Sequence, residues 1–195
     1  MATCTGVKII CIDGNIGAGK STVLNEINKK YPVYVEDISG WGVLDEFYID
    51  PSRWSFTLQT SILMSMHKQY EEMKNLPTPI VFVERTPASS LVFVKNAKHN
   101  NYLTEKEHKL LFDLFNVLKW EPSQTFFINT PVDVAFERVT KRSRGCEVNI
   151  DKEYLQNLHN LYMEEMKPQT ILIDGLLSPQ NIAQEIYNHL SNNYV

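Results

Sequence analysis

The chain has 195 residues, a formal net charge of -4 and 43% hydrophobic residues. That length predicts a single domain spanning 1–195, and the apolar share is that of an ordinary globular protein. The acidic balance excludes the broad basic footprint of a nucleic-acid binder, and no apolar run is long enough to span a bilayer. Cys4, Cys11 and Cys146 are odd in number and unclustered, which predicts reduced thiols in an intracellular protein. The N-terminus carries neither a signal-peptide core nor an Arg-rich transit pattern, so a cytoplasmic setting is expected. His67, His99, His108, His159 and His189 have no metal-ligand spacing.

In chain order, the first element is the apolar run Val7 to Ile12, read as a buried strand. Gly14-Asn15-Ile16-Gly17-Ala18-Gly19-Lys20-Ser21-Thr22 follows and fits G-x-x-x-x-G-K-[ST]. A helix is expected from Ser21 to Lys30. A strand, a glycine loop and a helix start aim backbone N–H groups at an anion. Glycines permit positive φ and close approach of phosphates. Lys20 then reaches the β- and γ-phosphates, and the Ser21 hydroxyl sits on Mg²⁺. The second strand is Val33 to Val35. A long helix runs from about Pro51 to Lys74, with Asp50 as its N-cap and proline at its first position. Leu76 to Pro79 is the loop into the third strand, Ile80 to Val83.

Thr104 with Glu107 makes a capping box for the next helix. Thr125 to Ile128 is the fourth strand, followed by a helix with Thr130 at its N-cap, Pro131 at N1 and Asp133 at N3. Thr170 to Ile173 is the fifth strand, and Ser178-Pro179 opens a last helix. The strands are rich in Val, Ile and Phe without strict alternation, which suits a parallel sheet covered on both faces. Alternating strands and helices give an α/β fold.

In open α/β sheets, ligands gather outside the carboxyl ends of the strands. Glu84 ends the third strand and can hold Mg²⁺ directly or through water. The bland alternative is a strand-end ion pair with Arg85. Arg85 itself can stabilise charge on a moving phosphoryl group. Glu36 ends the second strand, where a carboxylate can serve as general base toward an alcohol. Asp37 is the competing candidate, and spacing leaves both open. Arg138 and Arg142 share a helix face, and Arg144 lies next to Gly145, where the helix is expected to break. Together they form either a solvated basic face or a lid over ATP. Gln59, Ile62, Leu63 and Met66 follow helical spacing. A primary amide there can pair with a nucleobase edge in two bonds, although a core stripe explains the same periodicity.

Together these pieces resemble the deoxyribonucleoside kinase family. The resemblance covers nearly the whole chain and rests on five ordered signatures: GNIGAGKST, YIDPSRWSFTLQ from Tyr48 to Gln59, Glu84-Arg85-Thr86, RVTKRSRGCE from Arg138 to Glu147, and YLQNLH from Tyr154 to His159. It implies a three-layer phosphate-loop kinase fold, with a five-stranded parallel sheet flanked by helices and an arginine-rich lid at about 138–150. It also implies roles. Glu36 is the base for the sugar 5′-hydroxyl, with Arg85 beside it. Tyr48 and Glu147 hold the 3′-hydroxyl. Gln59 reads the base, against which Trp41 and Phe93 pack, while Ile62, Met66 and Ser90 shape the pocket.

Met66 and Ser90 stand where the deoxycytidine kinase type carries charge, so a pocket of the pyrimidine type that admits thymine is expected. Asp37 replaces the family's usual proline. Thr86-Pro87 replaces its serine and the residue after it, and the herpesviral thymidine kinases share that proline. The stretch from Pro87 to Phe93 is one residue shorter than usual, and Cys146 replaces a second lid acid. The expectation is a kinase that moves the ATP γ-phosphoryl group to a deoxynucleoside 5′-hydroxyl with Mg²⁺. Its partners are small molecules, neither nucleic acid nor membrane, and it forms a homodimer in the cytoplasm, the host's for a viral member. The alternatives are a thymidylate-type monophosphate kinase and a nucleotide-binding module without transfer chemistry. No N-K-x-D motif of the GTPase kind is present.

Overall fold

The computed structural model describes residues 6–142 and 150–194. Its strands are β1 (Lys8–Asp13), β2 (Val33–Tyr34), β3 (Ile80–Glu84), β4 (Gln124–Asn129) and β5 (Ile171–Asp174). They pair in the order β2-β3-β1-β4-β5, and every pairing is parallel. The α/β expectation with five parallel strands holds. Parallel neighbours need crossover helices, and these cover both faces of the sheet.

The helices are α1 (Lys20–Ile27), α2 (Leu44–Ile49), α3 (Pro51–Met73), α4 (Pro87–His99), α5 (Glu105–Leu118), α6 (Val132–Arg142), α7 (Lys152–Glu165) and α8 (Pro179–Tyr194). A 3₁₀ turn spans Ile38–Trp41. Central strand β1 is buried on both faces. Ile10 and Ile12 pack with Leu24 and Ile27 of α1 and Ile182 and Ile186 of α8. Ile9 and Cys11 point the other way, toward Met73 of α3 and Trp120. Val92 of α4 and Leu158 and Tyr162 of α7 extend that second layer over Phe127 of β4. The period-two alternation of a strand thus feeds two cores.

Local signals account for most helix starts. Asp50 accepts from the Arg53 N–H at the start of α3. Thr104 and Glu107 make the expected capping box of α5. Ser178 accepts from the Asn181 N–H at 3.2 Å at the start of α8. Each strand starts or ends one residue from its expected position, and two helix boundaries differ as well. Helix α1 stops at Ile27, because the Lys29 and Lys30 N–H groups bond three residues back, tightening the last turn. Helix α6 begins at Val132, one residue after the expected first position, and the Thr130 hydroxyl donates to Ala18 O at 3.0 Å, tying the start of the helix to the phosphate loop.

Candidate functional site

All five strands point the same way, so their carboxyl ends share one edge. Glu84 is in register with Ile12 of β1. One cavity of about 470 Å³ opens along that edge. Gly17, Ala18, Gly19, Lys20, Ser21 and Thr22 line one half of it, with Ile16, Arg138 and Arg142. Glu36, Trp41, Tyr48, Gln59, Ile62, Met66, Ser90 and Phe93 line the other half. Glu84 and Arg85 lie on the same wall. These residues lie far apart in the chain, and the fold collects them around one space.

The phosphate loop is built as its glycines require. Gly17 has φ +78°, and a Cβ there would meet Ala135 O of α6 at 2.4 Å. No L side chain fits that approach. Gly14 and Asn15 do not line the cavity. The Asn15 side chain turns away, donating to Leu155 O at 2.8 Å and accepting from the Ile16 N–H at 2.8 Å. It ties the loop to α7. Lys20 folds over the loop, donating to Gly14 O at 3.1 Å and Asn15 O at 2.9 Å. Its ammonium is 3.9 Å from Glu84 Oε1. Burial first, and then the nearby Arg85 charge, lower Lys20 from 10.5 to about 8. The Ser21 hydroxyl donates to the Glu84 carboxylate oxygens at 3.3 and 3.4 Å. A hydroxyl and a carboxylate oxygen together suit a hard cation such as Mg²⁺. Arg138 donates to Ala18 O and Gly175 O, both at 3.1 Å, and so staples α6 to the loop.

Arg85 has φ +63°, unusual for a residue with a Cβ. The bend after β3 turns its guanidinium back into the cavity. Nη1 donates to Glu36 Oε2 at 2.5 Å, and both side chains are nearly buried. The adjacent carboxylates Glu36 and Asp37 point to different places. Glu36 faces the cavity, whereas exposed Asp37 accepts from the Gly40 N–H and the Ser39 hydroxyl, each at 3.0 Å. On the far wall the Ser90 hydroxyl donates to Gln59 Oε1 at 3.1 Å. That bond fixes the amide plane and leaves Nε2 and one Oε1 lone pair to a ligand. Gln59 and Ser90 are both buried.

Several cavity residues went unmarked in the sequence. Phe47 of α2 packs edge-on against Tyr48, ring centroids 5.2 Å apart. Leu44, Leu58, Asn96 and Tyr102 also line the space. They follow ordinary helical periodicity, and nothing in it distinguishes a pocket wall from a core. Tyr154 lines the cavity as well, and burial pushes its phenol well above the usual range. Arg144, Cys146 and Glu147 lie outside the described residues, as does Cys4. Cys11 is a buried free thiol. Among the described residues no group of three or more His, Cys, Asp or Glu side chains could hold a metal ion, and no helix is long and apolar enough to cross a membrane.

The family model described as deoxynucleoside kinase matches residues 10–188. Protein 143R of Invertebrate iridescent virus 6 is 33% identical over 192 residues, covering 95% of this chain and 98% of its own. Deoxyadenosine kinase of Dictyostelium discoideum is 32% identical over 190 residues, covering 91% of this chain and 77% of its own. A solved structure of deoxyadenosine kinase from M. mycoides, with products dCMP and a flexible dCDP bound, superposes with a TM-score of 0.85 at 26% identity. It covers 94% of this chain and 99% of that one. The chain belongs to the deoxynucleoside kinase family, whose members transfer a phosphoryl group from ATP to a nucleoside.

Proposed function

We propose that this kinase acts on a pyrimidine deoxynucleoside, thymidine or deoxycytidine, at its 5′-hydroxyl. The observation that carries this is Gln59, held by the Ser90 hydroxyl in a pocket without charge at Met66 or Ser90. An amide carries one donor and one acceptor, so in one flip it pairs in two bonds with N3 and the 4-substituent of thymine and in the other with those of cytosine, and the Ser90 hydroxyl can hold either flip by donating to Oε1 or accepting from Nε2. Trp41, Ile62, Met66 and Phe93 supply the apolar walls. Glu36 takes the proton of the 5′-hydroxyl, and Tyr48 and Glu147 hold the 3′-hydroxyl. Residues from Ile16 to Thr22, with Arg138, Arg142 and Arg144, receive ATP, Gly14 and Asn15 shape the loop behind them, and Arg85 and Lys20 stabilise the charge of the transferring group. Ser21 and Glu84 hold Mg²⁺, which neutralises phosphate charge when bound.

Two of the relatives are named for deoxyadenosine, so base preference is the part most in need of a test. Four deoxynucleosides and thymidine monophosphate, each with ATP, form the deciding panel. Thymidine or deoxycytidine is expected to give the highest kcat/KM. Either purine nucleoside outcompeting both pyrimidines refutes the preference. Turnover of the monophosphate alone would favour a thymidylate-type kinase. That reading needs cations for the acceptor phosphate. On the acceptor side Arg85 is ion-paired with Glu36.

The family resemblance, and exposed Met64 on α3 with Leu110 and Val117 on neighbouring α5, support a homodimer. Sedimentation of the same preparations reads this, and a monomer at micromolar concentration removes it. A cytoplasmic setting, in the host for a viral member, fits the viral relatives. Export of the expressed chain would contradict it.

The lowered Lys20 pKa gives a further expected result. Below pH 8 the ammonium is charged in the free enzyme, and above it the amine is neutral. Phosphates favour the charged form and raise the pKa, so ATP binding takes up a proton above pH 8. At pH 8.5 the uptake should approach about 0.7 proton. Titration calorimetry in two buffers of different ionisation heat measures it. Identical heats would detach Lys20 from the phosphates or from its lowered pKa.

A further inference from the structure

Among the described residues, four buried side-chain polar atoms lack a hydrogen-bond partner, and Arg85 Nε and Tyr162 Oη are two of them. Buried polar atoms are almost always satisfied, so a pair of such atoms at one place needs a reason. Tyr162 sits on α7, packed edge-on to Phe93 with centroids 6.3 Å apart. Phe93 in turn lies under the Arg85 guanidinium, 4.9 Å from carbon to ring centroid. The Nε edge of Arg85 also faces Asp13, 4.0 Å from its Oδ1.

Asp13 is held on both oxygens. Oδ1 accepts from the Gly14 N–H at 2.7 Å, and Oδ2 accepts from the Ser89 hydroxyl at 2.6 Å. Ser89 Oγ accepts in turn from the Thr86 N–H at 3.0 Å. A fixed chain of bonds therefore joins the first glycine of the phosphate loop to the first turn of α4, on either side of Arg85. Burial, and then the Asp13 carboxylate, push the Tyr162 phenol well above its usual range, while Arg85 opposes them. The phenol stays neutral and can accept an N–H.

We propose that Tyr162 and the Asp13–Ser89 pair are positioning residues that grip the Nε edge of Arg85, leaving its Nη edge to Glu36 and the transferring phosphoryl group. A guanidinium carries its donors in a rigid plane, so fixing one edge aims the other. Phe93 covers one face and prevents the plane from tilting. Tyr162 also connects this aim to α7, the helix that Asn15 ties to the phosphate loop. Tightening of the Tyr162–Arg85 contact when substrates fill the cavity would pair both orphan atoms.

The inference rests on Arg85 acting at the phosphoryl group, and the test separates the two. Tyr162→Phe removes one hydroxyl that has no partner, so its unfolding midpoint should match that of the parent protein. Its kcat should fall about tenfold, within the range of coupled neighbours, with little change in either KM. In an Arg85→Lys background the same substitution should cost less than about twofold, because the edge it grips is gone. Asp13→Asn should show the same split of kcat losses between the two backgrounds, but with a lowered unfolding midpoint, because it removes a buried carboxylate beside Arg85. A Tyr162→Phe enzyme with normal kcat, or equal losses in both backgrounds, overturns the inference. Near-normal turnover of Arg85→Lys alone would overturn the role of Arg85, and this proposal with it.

Discussion

Glu36→Gln is expected to lower kcat by roughly 10²–10⁴ while nucleoside affinity stays within about threefold. The substitution keeps the shape of the side chain and one acceptor oxygen but removes the group that can take the 5′-hydroxyl proton. It also discharges the partner of Arg85, whose Nη1 lies 2.5 Å from Glu36 Oε2. A buried charge deprived of its partner destabilises a protein, and Asp13 on the Nε side offsets part of that loss. The denaturation midpoint should therefore drop while the fold persists at assay temperature. Turnover per folded molecule, with affinity from direct titration, separates the two effects. Near-normal kcat would remove Glu36 from the base role.

Gln59→Leu should reduce kcat/KM for the preferred pyrimidine on the order of 10²-fold. Two polar atoms of the base would then lie in the cavity without partners, at about 1–3 kcal/mol each. The Ser90 hydroxyl, which donates to Gln59 Oε1 at 3.1 Å, loses its partner too. Stability should fall modestly, and ATP binding should not change, because the loop half of the cavity is untouched. An unchanged ratio between thymidine and deoxyadenosine would show that the amide does not read the base. In that case Asn96 and Tyr102, which line the same cavity, become the groups to replace.

Much of this site was legible because its signals are local. The glycine spacing from Gly14 to Lys20, the N-cap at Asp50 and the capping box at Thr104 each involve residues within a few positions of one another. Helix α2 was missed for the same reason: its N-cap, Val43, makes no side-chain capping bond. It forms because Phe47 is buried against Leu58, Ile62 and Met66 of α3. That contact has no signature in a six-residue segment. The choice between Glu36 and Asp37 also lay beyond spacing, since adjacent residues after a strand diverge according to how the chain bends.

By itself the sequence determined the strands, most of the helices, the phosphate loop and which residues end the strands. Each of these follows from side-chain period, capping chemistry and glycine geometry over short stretches. The tertiary structure alone decided the strand order, the pairing of Glu36 with Arg85 and the network around Asp13. Asp13 and Ser89 are 76 positions apart, and no periodicity relates them. They meet because β1 and β3 are neighbours in the sheet, so the residues that end the two strands share one edge. The cost of bringing such distant groups together is borne by the buried strands. Nothing but the completed sheet places them within hydrogen-bond reach.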